Sequence, residues 1–287
     1  MNSKQLNPNK TMEKLPISVV INTFQAESYL DLVLQAVADH VSEIVVCDMH
    51  STDRTQEIAQ SFGAKIVLHE QLGYADPARK FAVENSTQPW VFILDADEIV
   101  PSTLWPVIAE LISKNQTDII SFHWLNYMFG APIDGAGFDP RRDIHPRLFR
   151  RDAVTLHPEV HAYLKPKPES RVHQVPYSPQ TCIHHFTYLS AQNFVARANK
   201  YTDLEAQNQF RNQKVTPTRA LRKLVRDFLK RMIKQRGSKL GWQGFSISLL
   251  MLANDAMKFA KILEHQNNAT PESIQEQHRN FIKSLLS

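Results

Sequence analysis

Three acids in four residues, Asp95, Asp97 and Glu98, directly follow the apolar run Val91-Phe92-Ile93-Leu94. An ionised carboxylate is too costly to bury alone inside a sheet, so the run must reach the surface where the acids begin. Oxygen donors at i and i+2 beside a strand end suit a hard divalent cation, Mg²⁺ or Mn²⁺, with waters and phosphate oxygens completing its shell. Such a site is suited to neutralising charge that grows on a departing phosphate. The plainer alternative is that the acids solvate a strand end or cap a helix starting near Ser102. The strand context and the other polar residues expected on the same rim favour a site.

The segments that must position these acids are legible. LPISVVIN (15–22), EIVVCD (43–48), AKIVLH (64–69) and WVFILD (90–95) are β-branched or apolar runs of strand length. Helical segments separate them. Leu30, Val33, Leu34 and Val37 recur at spacings of three and four, Asp53 and Gln56 spell a capping box, Gly63 is placed as a C-terminal stop, and Pro77 sits early in DPARKFAVEN. This alternation implies a parallel sheet with right-handed crossovers. Ligands of such sheets bind beyond the carboxyl ends of the strands, which would gather Asn22, Thr23, Asp48, Asp95 and Asp97 on one rim. After residue 100 the rhythm fades. The stretch 128–143 is rich in Gly, Pro and Asp and reads as a long loop of the functional or mobile kind. Short strands follow around 147–186, and from about Ser190 the chain reads as helical.

With 287 residues and 43% hydrophobic composition, the chain supports one sizeable domain plus an appendage, which excludes the disordered and fibrous classes. Cys47 and Cys182 are too few for a disulfide framework and read as buried thiols in a reducing, cytoplasmic compartment. The polar N-terminal segment lacks the apolar core of a signal peptide, and no stretch shows the roughly eighteen uninterrupted apolar residues of a membrane span. The net charge is only +4, but 219–239 is a basic block in which Asp227 is the one acid. A block of this kind suits nucleic acid, an anionic membrane or a phosphate-bearing substrate. Zinc-finger spacing and an RNA-binding aromatic signature are missing, so nucleic acid is not the expected partner. Within 219–236, Leu221, Leu224, Val225, Phe228 and Met232 recur at helical spacing among Arg and Lys. Basic amphipathic helices of this type lie in membrane interfaces. Plain packing with a solvated face is the competing reading.

Taken in order, SVVINTF, EIVVCDMHSTDRT, GYADPARKFAVEN and WVFILDADEIV resemble the nucleotide-binding half of family-2 glycosyltransferases, the GT-A fold. Within that family they resemble the branch that includes lipopolysaccharide-core β-glucosyltransferases. The resemblance covers 15–100 and extends more loosely through PRLFRR (146–151), VHAYL (160–164) and HFTY (185–188). It implies that Thr23 and Asp48 contact base and ribose, that Arg79 sits near the nucleotide, that Asp95 touches ribose or metal, and that Asp97 ligates the metal. It also favours His185 over His184 as the histidine facing the site. Arg147 and Arg150 would hold a diphosphate or lock the loop through ion pairs. Two departures stand out: Gln25-Ala26, followed by Glu27, replaces a frequent Asn-Glu pair, and Met49-His50 replaces a glycine-containing turn.

An inverting transfer needs a base for the acceptor hydroxyl, usually a carboxylate. The branch commonly carries Val-His-Glu where this chain has Val160-His161-Ala162. Glu159 is therefore the first candidate, with Asp139 and Asp143 as alternatives. Strand alternation puts Glu159 and His161 on one face, making His161 a metal or phosphate contact, although ordinary half-exposed strand residues fit as well. Arg197 and Tyr201 match basic and aromatic positions of the family tail, and surface helix positions explain them equally.

The expected architecture is a polar tail (1–14), a GT-A, Rossmann-like α/β domain (15–189) and a helical extension (190–287). The domain's mostly parallel sheet is flanked by helices, with a nucleotide-binding half at 15–100 and an acceptor half at 101–189. The expected activity is metal-dependent, inverting transfer of a hexose from a nucleotide sugar, UDP-glucose favoured, to a lipopolysaccharide or other surface-glycan acceptor. The expected place is the cytoplasm or the inner face of the cytoplasmic membrane, and the C-terminal helices are candidates for an oligomer contact. The competing reading is a catalytically silent scaffold of the same fold that binds a nucleotide sugar or glycan.

Overall fold

The structure, a computed structural model, describes residues 13–71, 76–156, 164–210 and 214–286. It divides into two compact units, residues 1–126 with 140–186 and residues 127–139 with 187–287.

In the first unit, β1 (Leu15–Thr23), α1 (Leu30–Val37), β2 (Val41–Asp48), α2 (Thr55–Ser61), β3 (Lys65–Leu68), α3 (Asp76–Glu84) and β4 (Trp90–Asp95) alternate as the sequence implies. The strands lie in the order β3-β2-β1-β4, all parallel. Their central residues are buried on both faces, which is why they read as unbroken apolar runs. Leu30, Val33, Leu34 and Val37 form the fully buried stripe of α1. At the end of α2, Gly63 takes φ +69° and the Ala64 N–H reaches the Ala59 carbonyl at 3.1 Å, a Schellman turn. The expected capping box does not close. Asp53 accepts from the Thr55 N–H at 3.1 Å, but Gln56 turns away and donates to Asp48 at 2.8 Å, because that buried carboxylate needs donors.

The sheet then changes character. The chain continues through β5 (Glu98–Ile99), α4 (Leu104–Lys114), β6 (Ile119–Met128), β7 (Ala131–Pro132), β8 (Ile144–Arg150), β9 (Val154–Leu156), β10 (Leu164–Pro166), β11 (Val172–Gln174) and β12 (Ile183–Tyr188), of which β9 and β10 pair with each other in a separate antiparallel sheet. The main path runs β4-β8-β6-β12-β5, and β8 is antiparallel to both β4 and β6. No helix joins β6 to β8, so they need no parallel crossover. One core face packs Phe92 against Phe122 (centroids 5.4 Å) and the edge of Trp105 (6.2 Å). This is the α/β arrangement expected of a GT-A fold, with a helical extension after it.

The second unit holds α5 (Ala191–Phe210), α6 (Pro217–Leu229), α7 (Gly241–Gln266) and α8 (Pro271–Leu286), with a π-helical turn over Lys230–Lys234 continuing α6. Thr216 caps α6 and Pro217 opens it. Lys258 of α7 pairs with Glu205 of α5 at 3.0 Å, and Lys261 with Asp203 at 2.7 Å. The glycine-rich stretch before Asp139 is not loose: Ala136 donates its N–H to the Gln235 carbonyl at 2.6 Å and accepts from Arg231 at 3.0 Å. No helix among the described residues is long and apolar enough to cross a membrane.

Gly244, inside α7, lies so close to the preceding turn that an added Cβ would sit 2.0 Å from the Gly237 carbonyl oxygen. Helix propensity alone favours Gly244→Ala by about 1 kcal/mol, whereas overpacking costs about 1–3 kcal/mol. The obstacle is backbone, so the cost wins. Gly244→Ala should lower stability in chemical denaturation, and a gain in midpoint would refute the close approach.

Candidate active site

The parallel register brings the first polar residues together. Asn22 pairs with Asp95 across β1 and β4, and Thr23 pairs with Asp48 across β1 and β2. Asp48 is fully buried, so its charge must be met by hydrogen bonds. One oxygen accepts from the Thr23 hydroxyl (2.9 Å) and the Ser51 hydroxyl (2.6 Å), the other from the Ser51 N–H (2.9 Å) and Gln56 (2.8 Å). These four bonds fill the carboxylate's acceptor positions. They also fix the turn after β2, where His50 takes φ +59°, the conformation that a glycine would adopt freely. Gln25 braces the same turn, with its N–H 2.9 Å from the Ser51 hydroxyl and its amide 2.8 Å from Thr52.

The acids after β4 separate into different environments. Asp95 is held between two guanidiniums, Arg79 at 2.6 Å and Arg147 at 3.2 Å. Burial works against its ionisation, but Arg79 and then Arg147 outweigh burial and hold the carboxyl well below the usual range. Glu98 is fully buried, accepts from Arg147 at 2.7 Å and from the Asp95 N–H at 3.0 Å, and so closes the turn on itself. Burial pushes Glu98 up to about 7 against the pull of Arg147, and the neighbouring Asp95 charge adds to the rise. Arg147 also lies over the Trp124 ring at 4.4 Å. A β-bulge places it: Pro146 faces Ser121 and Leu148 faces Ile120, so Arg147 is the extra residue between them.

Among the described residues, no guanidinium pairs with Asp97. Its carboxylate, a quarter exposed, lies 3.5 Å from His185 Nε2. His185 Nδ1 is 2.8 Å from the Asn126 amide oxygen, which sets Nδ1 as the donor and turns Nε2 toward Asp97. Asn126 in turn donates to Asp143 at 2.7 Å, and the other Asp143 oxygen meets His145 Nε2 at 2.7 Å. A hydrogen-bonded series thus runs His185–Asn126–Asp143–His145. Trp124 packs beside it, 3.9 Å from the His145 ring and 4.8 Å from that of His185. Burial opposes a charge on His185, but the Asp97 carboxylate, then Glu98 and Asp95, raise its pKa above the ordinary value.

Of the residues singled out from sequence, Thr23, Asp48, Arg79, Asp95, Asp97, Asp143, Arg147 and His185 all lie in the first unit, tied by the contacts just given. His184 points the other way, 4.0 Å from Cys182 Sγ, as strand alternation requires. Arg150 lies over the Trp90 ring at 5.2 Å. Asp139 falls in the segment that belongs to the second unit, as do Arg197, which donates to the Thr187 carbonyl at 3.1 Å, and Tyr201. Glu159 and His161 lie outside the described residues. Sequence reasoning passed over Trp124, Asn126 and His145. Phe122, Trp124 and Asn126 recur at every second position of β6, and that period-two pattern of two aromatic residues and one amide was the available signal.

The burial of Glu98 makes Arg147 its necessary partner. Arg147→Met should destabilise the fold by about 3–5 kcal/mol, because it leaves a buried charge uncompensated. A carboxyl raised in the folded state from 4.5 to about 7 holds its proton where the unfolded chain has lost it, so stability falls as pH rises through that interval. Without Arg147 the deficit should grow further with pH, and adding Glu98→Gln should flatten it. Parallel stability–pH curves for Arg147→Met and the double variant would contradict the pairing.

The sequence matches the family described as Glycosyl transferase family 2 over residues 18–161, half of the chain. It is 28% identical over 210 residues to the lipopolysaccharide core biosynthesis glycosyltransferase LpsC of Rhizobium meliloti, covering 70% of this chain and 74% of that one. It is 23% identical over 261 residues to an uncharacterized glycosyltransferase of Rickettsia bellii, covering 89% and 88%. Among solved structures it aligns with S. aureus TarS 1-349 in complex with UDP at 15% identity and TM-score 0.45, covering 89% of this chain and 92% of that one. It also aligns with glucosyl-3-phosphoglycerate synthase from Mycobacterium tuberculosis in complex with Mn²⁺, UDP and glucosyl-3-phosphoglycerate, at 21% identity, TM-score 0.32, and 39% and 44% coverage. The chain is a glycosyltransferase and belongs to glycosyl transferase family 2.

Proposed function

We propose that this chain transfers a hexose, with UDP-glucose the favoured donor, to a lipopolysaccharide-type or other surface-glycan acceptor, with inversion and with the help of Mn²⁺ or Mg²⁺. The lipopolysaccharide-core relative supports the acceptor class. The observation that carries the reading is the division of labour between Asp95 and Asp97. Asp95 is committed to Arg79 and Arg147, while Asp97 faces an imidazole nitrogen at 3.5 Å. A carboxylate oxygen is a suitable donor to Mn²⁺, the His185 nitrogen becomes one once the cation displaces the proton that Asp97 favours on it, and Asn126 fixes the tautomer that such a role requires. Among the described residues no group of three or more His, Cys, Asp or Glu is placed to hold a metal ion; Asp97 and His185 would supply two donors and leave other positions to water and diphosphate. When bound, the cation supplies charge neutralisation for the diphosphate leaving group.

Arg79 and Arg147 keep Asp95 ionised and fixed in orientation, and Glu98 holds the turn that presents Asp97. Thr23 and the Asp48 turn form the adjoining edge for the nucleoside; a direct contact from Asp48 would have to displace one of its present donors. In the transfer, the acceptor oxygen bonds to the anomeric carbon as the bond to the diphosphate breaks, and the hydroxyl proton passes to a carboxylate. Among the described candidates Asp143 suits that role, because Asn126 and His145 orient both of its oxygens. Cys47 and Cys182 are buried thiols pushed by burial up to about 12 and about 11, which fits inert structural residues in a reducing cytoplasm. A lipid-linked acceptor would bring the reaction to the inner membrane face.

Thermal shift with UDP-, GDP- and dTDP-sugars, with and without Mn²⁺, tests the donor and the metal. Ligand at a hundred times its Kd stabilises by about 2.7 kcal/mol. UDP-glucose should give a Mn²⁺-dependent rise that Asp97→Asn abolishes. Asp143→Asn should keep that rise and lose about 10²–10⁴-fold in transfer rate. A donor shift indifferent to both metal and Asp97 would sink the metal assignment, and full turnover by Asp143→Asn would move the base elsewhere.

A further inference from the structure

We infer that the outward face of α6, its π-helical continuation and the start of α7 form a docking surface for an anionic lipid bilayer. The face is defined by what the fold leaves uncovered. Along α6 the apolar residues divide into two sets. Ala220 is buried and Leu224 packs against the core of Ala206, Val215, Phe259 and Ile262. Leu221, Val225, Leu229 and Ile233, spaced by four, are instead 63%, 51%, 48% and 70% exposed. A four-residue spacing drifts slowly around a helix of 3.6 residues per turn. The wider π turn over Lys230–Lys234 counters that drift at the point where Ile233 must stay in line.

The stripe does not end with α6. Phe228 meets Phe245 of α7 at 6.4 Å, edge to face, and Phe245, Trp242 and Leu249 are themselves about half exposed or more. Beside this apolar surface stand exposed cations: Arg219, Arg222, Arg226, Lys230, Lys234, Arg236 and Lys239. The one acid of the block, Asp227, is already taken by Lys223 at 2.7 Å and Arg226 at 3.0 Å.

Two chemistries in one strip narrow the occupant. A nucleic acid would use the cations but offers nothing to cover seven large apolar side chains. A second copy of the chain, paired through the same face, would set the basic row near itself, and like charges across an interface are costly. A bilayer interface offers both partners at once, anionic headgroups for Arg and Lys and the acyl boundary for Leu, Ile, Phe and Trp. Trp242, with its amphipathic ring, is the residue type that settles at that boundary. This inference stands apart from the transferase reading, because it concerns where the chain binds and not what it transfers.

The experiment uses the full chain with vesicles of phosphatidylcholine, alone or mixed with phosphatidylglycerol, read by co-sedimentation and by tryptophan emission. The chain has four tryptophans, and Trp90 and Trp105 are buried, so Trp242 should dominate any response to the lipid. The protein should sediment only with the anionic vesicles, its emission should shift to the blue, and Trp242→Phe should remove the shift. Leu229→Glu with Ile233→Glu, and separately Arg222→Gln with Lys230→Gln and Lys234→Gln, should each lower vesicle affinity at least about tenfold. All five side chains are exposed, so thermal melting should be unchanged and will show that the variants fold. Absence of binding to anionic vesicles at low salt would overturn the inference. Binding that survives the glutamate pair and leaves the emission unmoved would reduce the surface to electrostatic adhesion. A wild-type dimer in sedimentation equilibrium that the glutamate pair converts to monomer would assign the face to a second copy instead.

Discussion

The site depends on a buried carboxylate, Glu98, that must have a cation. It is fully enclosed at the turn after β4, and an isolated charge there would be prohibitive. Arg147 answers it from β8, and the same guanidinium extends to Asp95, which Arg79 reaches from α3. Four charged side chains from α3, the end of β4, the start of β5 and β8 therefore form one network. Buried ion pairs of this sort contribute little net stability over an apolar replacement, but breaking one is expensive. Their consequence here is geometric. Once Asp95 and Glu98 are committed to arginines, Asp97 is the acid of the three that remains directed at an imidazole.

That arrangement explains why a short acidic tetrapeptide performs separable tasks. Asp95 and Glu98 shape the turn, whereas Asp97 meets His185. The orientation of His185 comes from Asn126, and Asn126 is oriented by Asp143. Asn126 accepts from His185 and donates to Asp143, and Asp143 accepts from Asn126 at one oxygen and meets His145 at the other, so the tautomer and rotamer of one are set by the next. Trp124 lies against Arg147, His145 and His185, and so holds the rings that the hydrogen bonds orient. The second unit follows different physics, with paired helices, ion pairs between α5 and α7, and close glycine contacts. It leaves the apolar stripe of α6 outside.

Much of this was readable from local patterning. The four apolar runs predicted β1 to β4, and the three-and-four spacing of Leu30, Val33, Leu34 and Val37 predicted the buried stripe of α1. The stop at Gly63 was also right, since a positive φ after a helix is a local demand. The capping box failed for an instructive reason: Gln56 had a better acceptor in Asp48, eight residues back and buried. The basic helix was recognised as amphipathic, but its apolar positions could not be sorted. Leu224 and Leu221 differ only in which neighbour the fold provides.

By itself the sequence determined the succession of parallel strands and helices along the chain, the rim on which Thr23, Asp48, Asp95 and Asp97 lie, and the family to which they point. Those features follow from periodicity and strand ends, which are written in consecutive residues. Tertiary structure alone decided which acids are neutralised and which one faces the histidine. It also recruited Trp124, Asn126 and His145, and turned half of the apolar positions of α6 outward. These outcomes arise from contacts between residues some fifty positions apart, such as Asp95 with Arg147 and Asn126 with His185. The identity of a side chain states what it can bond. Its partner is chosen by the sheet register and the bulge that bring distant strands side by side.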